Sequence, residues 1–188
     1  LNREQVESLQ FLKEAKKKNI SFLVYGSPLF ATTHITLLEE CRRKKVPYDV
    51  FLNASVFDAL AETGLQLYKF GKISSMSRWQ NNYRPESFLD YIIQNKKIHS
   101  HSLVLIDPFF DFLAALQQFE TACKNKSILL DKIIVCSQLG TKNKKIFYGI
   151  TRELKNKKIS EKIKEPFCFI IPGELHFVEE KFLKNFQL

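Results

Sequence analysis

The sequence predicts an α/β protein. Three observations carry this. Short apolar runs rich in β-branched and aromatic residues recur along the chain. Each run is stopped by Gly, Pro, Asn, Asp or Ser. Segments of helical period follow several of the stops. Strand, polar loop and helix in repetition is the pattern of a parallel sheet covered by helices. Such sheets hold ligands beyond the carboxyl ends of their strands.

Val6, Leu9, Leu12 and Ala15 stand near helical spacing and predict an opening amphipathic helix. Residues 20–25 are almost wholly apolar and end in Gly26-Ser27-Pro28, which predicts a strand buried on both faces. A helix is expected over 34–45, with Ile35, Leu37, Leu38 and Cys41 inward. A second strand, 48–52, ends in Asn53-Ala54-Ser55, and a helix runs from there to about residue 62. The loops around Ser27 and Ser55 are therefore the first places to look for chemistry.

From Gly71 the pattern changes. A short strand is expected at 73–76, a polar and aromatic connector at 79–85, and a helix opened by Pro85 through Phe88, Tyr91 and Ile92. Residues 102–106 read as a strand stopped by Asp107-Pro108, and 109–119 as a helix. Three further strands are expected at 132–137, 146–151 and 167–171. A last helix, 176–186, follows the Pro172-Gly173 break. A domain boundary falls near 72–85, dividing the chain into 1–78 and 79–188.

The 188 residues suffice for one large or two small domains, and 45% hydrophobic with 26% charged content is ordinary for a globular chain. No apolar run reaches membrane-span length, and the charged N-terminus lacks a signal-peptide core, so a cytoplasmic protein is expected. The four cysteines are scattered, which speaks against a disulfide framework or a zinc site; Cys136 and Cys168 read as small hydrophobes within strands. The net charge of +9 raises nucleic-acid binding. However, Lys, Ile, Asn and Phe are abundant together, the lysines are spread along the chain, and no basic face with interleaved aromatics stands out. His99 and His101 read as surface residues, and Asp58 with Glu62 as a solvated helix face. No triad and no glycine fingerprint for phosphate is present. Composition and period stop there.

The residue strings go further. Residues 26–34 read GSPLFATTH; Asn53-Ala54-Ser55 is followed by ETGLQLYKFGK; residues 79–90 read WQNNYRPESFLD; residues 172–179 read PGELHFVE. In this order and spacing the strings resemble the diphthine synthases, over nearly the whole chain and least over 108–132. The resemblance implies two α/β domains of the tetrapyrrole methylase type, with the cofactor cleft between them. It implies S-adenosyl-L-methionine as cofactor, and elongation factor 2 as the protein methylated, on the amino group of an aminocarboxypropyl histidine in diphthamide biosynthesis. It implies a homodimer, with no catalytic acid or base and no metal. Cofactor contacts carried over by position are Ser27, Phe30, Ser55, Val56, Ile106, Tyr148 and His176. Read from the residues alone, Ser27 is equally a turn residue, His176 equally a capping or packing histidine, and Ser55 an N-cap.

Two departures from the family stand out. The family's first strand and glycine-rich loop have no counterpart before the opening helix. This predicts a fragment or a truncated relative, with a raw sheet edge and an open cleft. Ser27 also stands where the family has aspartate, and loss of a charge-assisted contact weakens binding by about 1.5–3 kcal/mol. The string DPFFDF at 107–112 replaces a more polar family continuation. The competing expectation is a weak or inactive relative acting as a binding or dimerisation module. A methylase of a small tetrapyrrole is a third, which the TGLQLYKFG and PGELHFVE strings oppose.

Overall fold

The computed structural model describes residues 9–188 and falls into two units, 1–56 and 57–188. In the first, the described part of the expected opening helix is a short 3-10 helix, Gln10–Lys13, and Val6 lies outside the described residues. Helix α1 (Ile35–Arg43) is where the period placed it. Leu12, Cys41 and Val46 form a small buried core, with Leu37 and Tyr48 against it. Ile35, expected inward, is exposed.

The two strands expected in this unit are absent. Segments 20–25 and 48–52 form no helix or strand, and no strand pairs with either among the described residues. Leu23 is 90% exposed and Phe51 87%. The physical reason is that an apolar run becomes a strand only when a neighbour completes its hydrogen-bond ladder. Both segments instead border a groove of about 620 Å³, lined by Leu12, Phe22, Val24, Leu38 and Cys41 among others.

The second unit carries a five-stranded sheet. Helix α2 (Val56–Ala59) runs into a 3-10 turn, Leu60–Thr63, and Leu67–Lys69 forms another. Then come β1 (Ser74–Met76), α3 (Ser87–Lys97), β2 (Ser102–Ile106), α4 (Phe112–Asn125), β3 (Ile133–Ser137) and β4 (Lys145–Gly149). Two short helices the sequence reading missed, α5 (Thr151–Leu154) and α6 (Lys157–Ser160), precede β5 (Phe167–Ile171). Helix α7 (Phe177–Leu183) and a 3-10 turn, Lys184–Phe186, end the chain.

The strand order is β1-β2-β5-β3-β4, and only the β1–β2 pair is parallel. The sheet of this unit is therefore mixed, whereas the parallel pattern is read from residues 20–62. Strand spacing and hydrophobicity predict strands but not direction, because a strand buried on both faces looks the same either way. The apolar stripe of α4, from Phe112 through Ala115, Leu116 and Phe119 to Ala122 and Cys123, packs in the core with Val104, Val135 and Phe169. Phe119 meets Phe169 edge-on at 5.4 Å, and Phe112 meets Phe167 at 5.6 Å. All four cysteines are free and buried, and Cys136 of β3 stands directly across from Cys168 of β5. Among the described residues, no helix is long and apolar enough to cross a membrane.

Candidate functional site

The first loop is built by one histidine. Nδ1 of His34, at the start of α1, donates to the carbonyl of Pro28 at 2.8 Å, which ties the end of the ATTH string back onto the GSP turn. The His34 ring sits edge-on to Phe22 at 5.2 Å. Gly26 and Ala31 both have positive φ, +78° and 51°, so the loop bends at each side of Ser27 and Phe30. At Ala31 the left-handed conformation is strained, because its Cβ crowds the backbone.

The GSP and NAS turns meet within the first unit. A Cβ at Gly26 would stand 3.6 Å from the carbonyl oxygen of Ala54, ordinary contact distance. Ser27 and Phe30 are half-buried, as are Ser55 and Val56. Ser55 immediately precedes α2, the position the N-cap reading gave it. The donor set suits a nucleoside: hydroxyls at two adjoining turns, apolar Phe30 and Val56 beside them, and the amides at a helix start.

In the second unit the centre is a carboxylate. Glu179 has no exposed side-chain surface and accepts four hydrogen bonds. Its Oε1 takes the Gln66 amide at 2.8 Å and His101 Nε2 at 3.1 Å; its Oε2 takes Lys69 Nζ at 2.7 Å and the His176 amide at 2.8 Å. Burial alone pushes the carboxyl up, but these donors outweigh it and hold the pKa at about 2. Nδ1 of His101 accepts from the Gly173 amide at 2.9 Å, so its ring proton sits on Nε2 and is donated to Glu179. Burial keeps His101 below the usual histidine range, more than Glu179 raises it.

His176 is the N-cap of α7. Its Nδ1 accepts from the Val178 amide at 3.4 Å, and Glu179 returns to the His176 amide, a reciprocal capping box. The capping reading of this histidine is correct. The side chain is nevertheless exposed, with its ring centroid 4.3 Å from that of Phe177 and Nε2 not used in the cap.

Ile106 and Tyr148 lie elsewhere in this unit. Ile106 ends β2, whereas His101, tied to the His176 turn, precedes its first residue, about 17 Å away along the strand. Tyr148 is on β4, three ladder steps or about 14 Å across the sheet from β2. The ammonium of Lys132 lies 5.5 Å from its ring centroid, and burial pushes its phenol up. The DPFFDF string serves the fold: Phe110 and Phe112 enter the core, Asp107 accepts from the Arg78 amide, and Asp111 caps α4.

His101, Lys69 and Glu179 escaped the sequence reading. His99 is exposed as expected, but His101 is fully buried, a correction whose cause is its place at the mouth of a central strand. Glu179 was findable: His176-x-x-Glu179 has the spacing of a capping box. Lys69 and His101 had no local signal, since their partner is more than seventy residues away. Of the expected solvated carboxylate pair, Asp58 is exposed, while Glu62 lies 2.6 Å from Lys144 Nζ.

The fold and these strings match known proteins. The profile of tetrapyrrole (corrin/porphyrin) methylases matches residues 2–155. A diphthine synthase of Methanococcus maripaludis (strain C6) is 38% identical over 197 residues, 98% of this chain and 76% of that protein. One from Methanocaldococcus jannaschii is 35% identical, with the same coverage. A solved structure from Entamoeba histolytica bearing the diphthine synthase name superposes with a TM-score of 0.86 at 26% identity, covering 95% of this chain and 75% of that one. The chain therefore belongs to the tetrapyrrole methylase family. Within that family it belongs with the diphthine synthases.

Proposed function

We propose that the chain is an S-adenosylmethionine-dependent methyltransferase of diphthamide biosynthesis. Its acceptor is the amino group of the aminocarboxypropyl histidine of elongation factor 2, and it works in the cytoplasm as a homodimer. Two domains, 1–78 and 79–188, flank the cofactor in this reading. S-adenosylmethionine supplies an electrophilic methyl group on a sulfonium. The chain supplies binding and orientation: Ser27 and Ser55 offer hydroxyls, Phe30 and Val56 apolar contact, and His176 a ring donor, with Ile106 and Tyr148 as further contacts. Methyl transfer of this kind needs a nucleophile held in line and water kept away, rather than a protein nucleophile.

The observation that supports the reading most directly is the contact of the GSP turn with the NAS turn, the two strings that also carry the family match. Isothermal titration of the full chain with S-adenosylhomocysteine tests it. Saturable heat in the micromolar range is expected, and none at high micromolar concentration overturns the cofactor reading. Ser27→Asp is expected to tighten binding by about 10- to 100-fold if the position faces the cofactor. Transfer of label from the methyl group to elongation factor 2 then tests the acceptor. Binding without transfer leaves the weak or inactive relative.

A further inference from the structure

We propose that Glu179, acting with Lys69 and His101, is the positioning group for His176, an inference that rests on the cofactor reading above. Three side chains grip one turn at three points and also grip each other. The Gly173 amide donates to His101 Nδ1 at 2.9 Å. The Glu174 carbonyl accepts from Lys69 Nζ at 2.6 Å. The His176 amide donates to Glu179 Oε2 at 2.8 Å. Glu179 then closes the set by accepting from both Lys69 and His101.

A helix start needs only a cap, and the capping box between His176 and Glu179 already supplies one. Lys69 and His101 exceed that need. Desolvating a carboxylate and an ammonium is costly even when they are paired, so filling the space does not by itself call for a charged set. What the set adds is direction: each side chain fixes one backbone group of the 173–176 turn, Lys69 as a donor and His101 and Glu179 as acceptors. Close approach points the same way, since a Cβ at Gly173 would meet the His99 carbonyl oxygen at 2.4 Å. The turn is thus locked by hydrogen bonds on one side and by backbone on the other.

The outcome of this locking is the exposed imidazole. His176 leaves the turn with Nδ1 accepting from the Val178 amide at 3.4 Å, so Nε2 is the ring nitrogen not used in the cap. The same carboxylate reaches the segment that follows the NAS turn. It takes the Gln66 amide directly. His101 also packs against Phe70 at 5.3 Å, and Phe70 against Phe57 in α2 at 5.9 Å. One buried carboxylate therefore holds both the His176 turn and the Gln66 amide. Neither Lys69 nor Glu179 is among the contacts carried over from the family strings, and their task is to act through His176.

The test is a double-mutant cycle on the full chain, read as affinity for S-adenosylhomocysteine by titration calorimetry. Glu179→Gln keeps the shape but turns one oxygen into an amide that must face a donor. It is expected to weaken binding about tenfold or more with far-UV circular dichroism unchanged. His176→Ala is expected to do the same. The double variant is expected to bind no more weakly than the poorer single variant, because Glu179 acts through the ring that is already gone. A role in packing alone predicts additive losses. Additive losses, or wild-type affinity in Glu179→Gln, overturn the positioning role and leave the cofactor reading standing. Absence of binding by the unsubstituted chain overturns both. If Glu179→Gln fails to fold, Lys69→Met removes the grip on Glu174 from a half-buried position and enters the same cycle under the same criteria.

Discussion

Nε2 of His101 lies 3.1 Å from Oε1 of Glu179, and neither side chain has any exposed surface. The pair joins the mouth of a central strand to the first turn of the last helix. It holds a neutral ring against a charged carboxylate, since Glu179 sits at about 2 and His101 below the usual histidine range.

Acid is expected to destabilise the protein in two steps. Both groups have depressed folded-state pKa values, so each contributes stability that is complete above its unfolded value and is lost as pH falls. His101 contributes fully above about pH 6.5 and loses its part below that. Glu179 contributes fully above about pH 4.5 and loses its part towards pH 2, on the order of 3 kcal/mol in all. Denaturant midpoints measured from pH 8 to pH 3 check this. The lower step is expected to vanish in Glu179→Gln, and a step that persists there belongs to another group.

Gly64 is expected to tolerate no side chain. It sits at φ +80°, and a Cβ would come within 2.3 Å of Phe182 Cδ1 and 2.9 Å of its Cβ. Gly64→Ala combines left-handed strain with an overlap against the ring, for a loss of about 2–3 kcal/mol. Thermal unfolding measures it. Adding Phe182→Ala should return the overlap part and leave the strain part.

Asn95 is expected to be worth about 3 kcal/mol. Its buried amide accepts from the Lys72 amide at 2.8 Å and donates to the Lys72 carbonyl at 2.8 Å and Ser102 Oγ at 3.0 Å. Asn95→Ala strands two backbone groups and a hydroxyl next to the start of β2. Asn95→Asp, which loses the two donated bonds and brings in a charge, should cost at least as much in urea unfolding.

The thiols are expected to be inert in the folded protein. Cys136 and Cys168 face each other across β3 and β5; the Cys136 thiol is pushed well up, chiefly by its contact with Cys168 and by burial. Burial also pushes Cys123 up to about 12. Alkylation monitored by mass should proceed for these three only at the rate of unfolding. Rapid labelling of any one of them in native buffer contradicts the packing described.

The legibility of the fold was uneven for identifiable reasons. Strands 102–106 and 167–171 were read at their observed bounds, because each is a continuous apolar run closed by Asp107-Pro108 or Pro172-Gly173. Residues 20–25 and 48–52 carry the same signal, yet neither is a strand, since nothing among the described residues completes a ladder beside them. His99 and His101 differ by two positions and looked alike. One is exposed and the other buried, because His99 lies in the turn after α3, at φ 58°, whereas His101 bridges to Phe70 at the mouth of β2.

By itself the sequence determined most element types of the larger unit, the role of Cys136 and Cys168 as buried apolar groups, and the family. All of these follow from local periods, stops and ordered strings. Only the tertiary structure decided strand direction, the meeting of the GSP and NAS turns, and the gathering of Lys69, His101 and Glu179. The reason is physical. A hydrogen bond between residues 69 and 179 leaves no trace in the neighbours of either. Whether a lysine or a histidine is solvated or locked depends on what the fold brings within 3 Å of it.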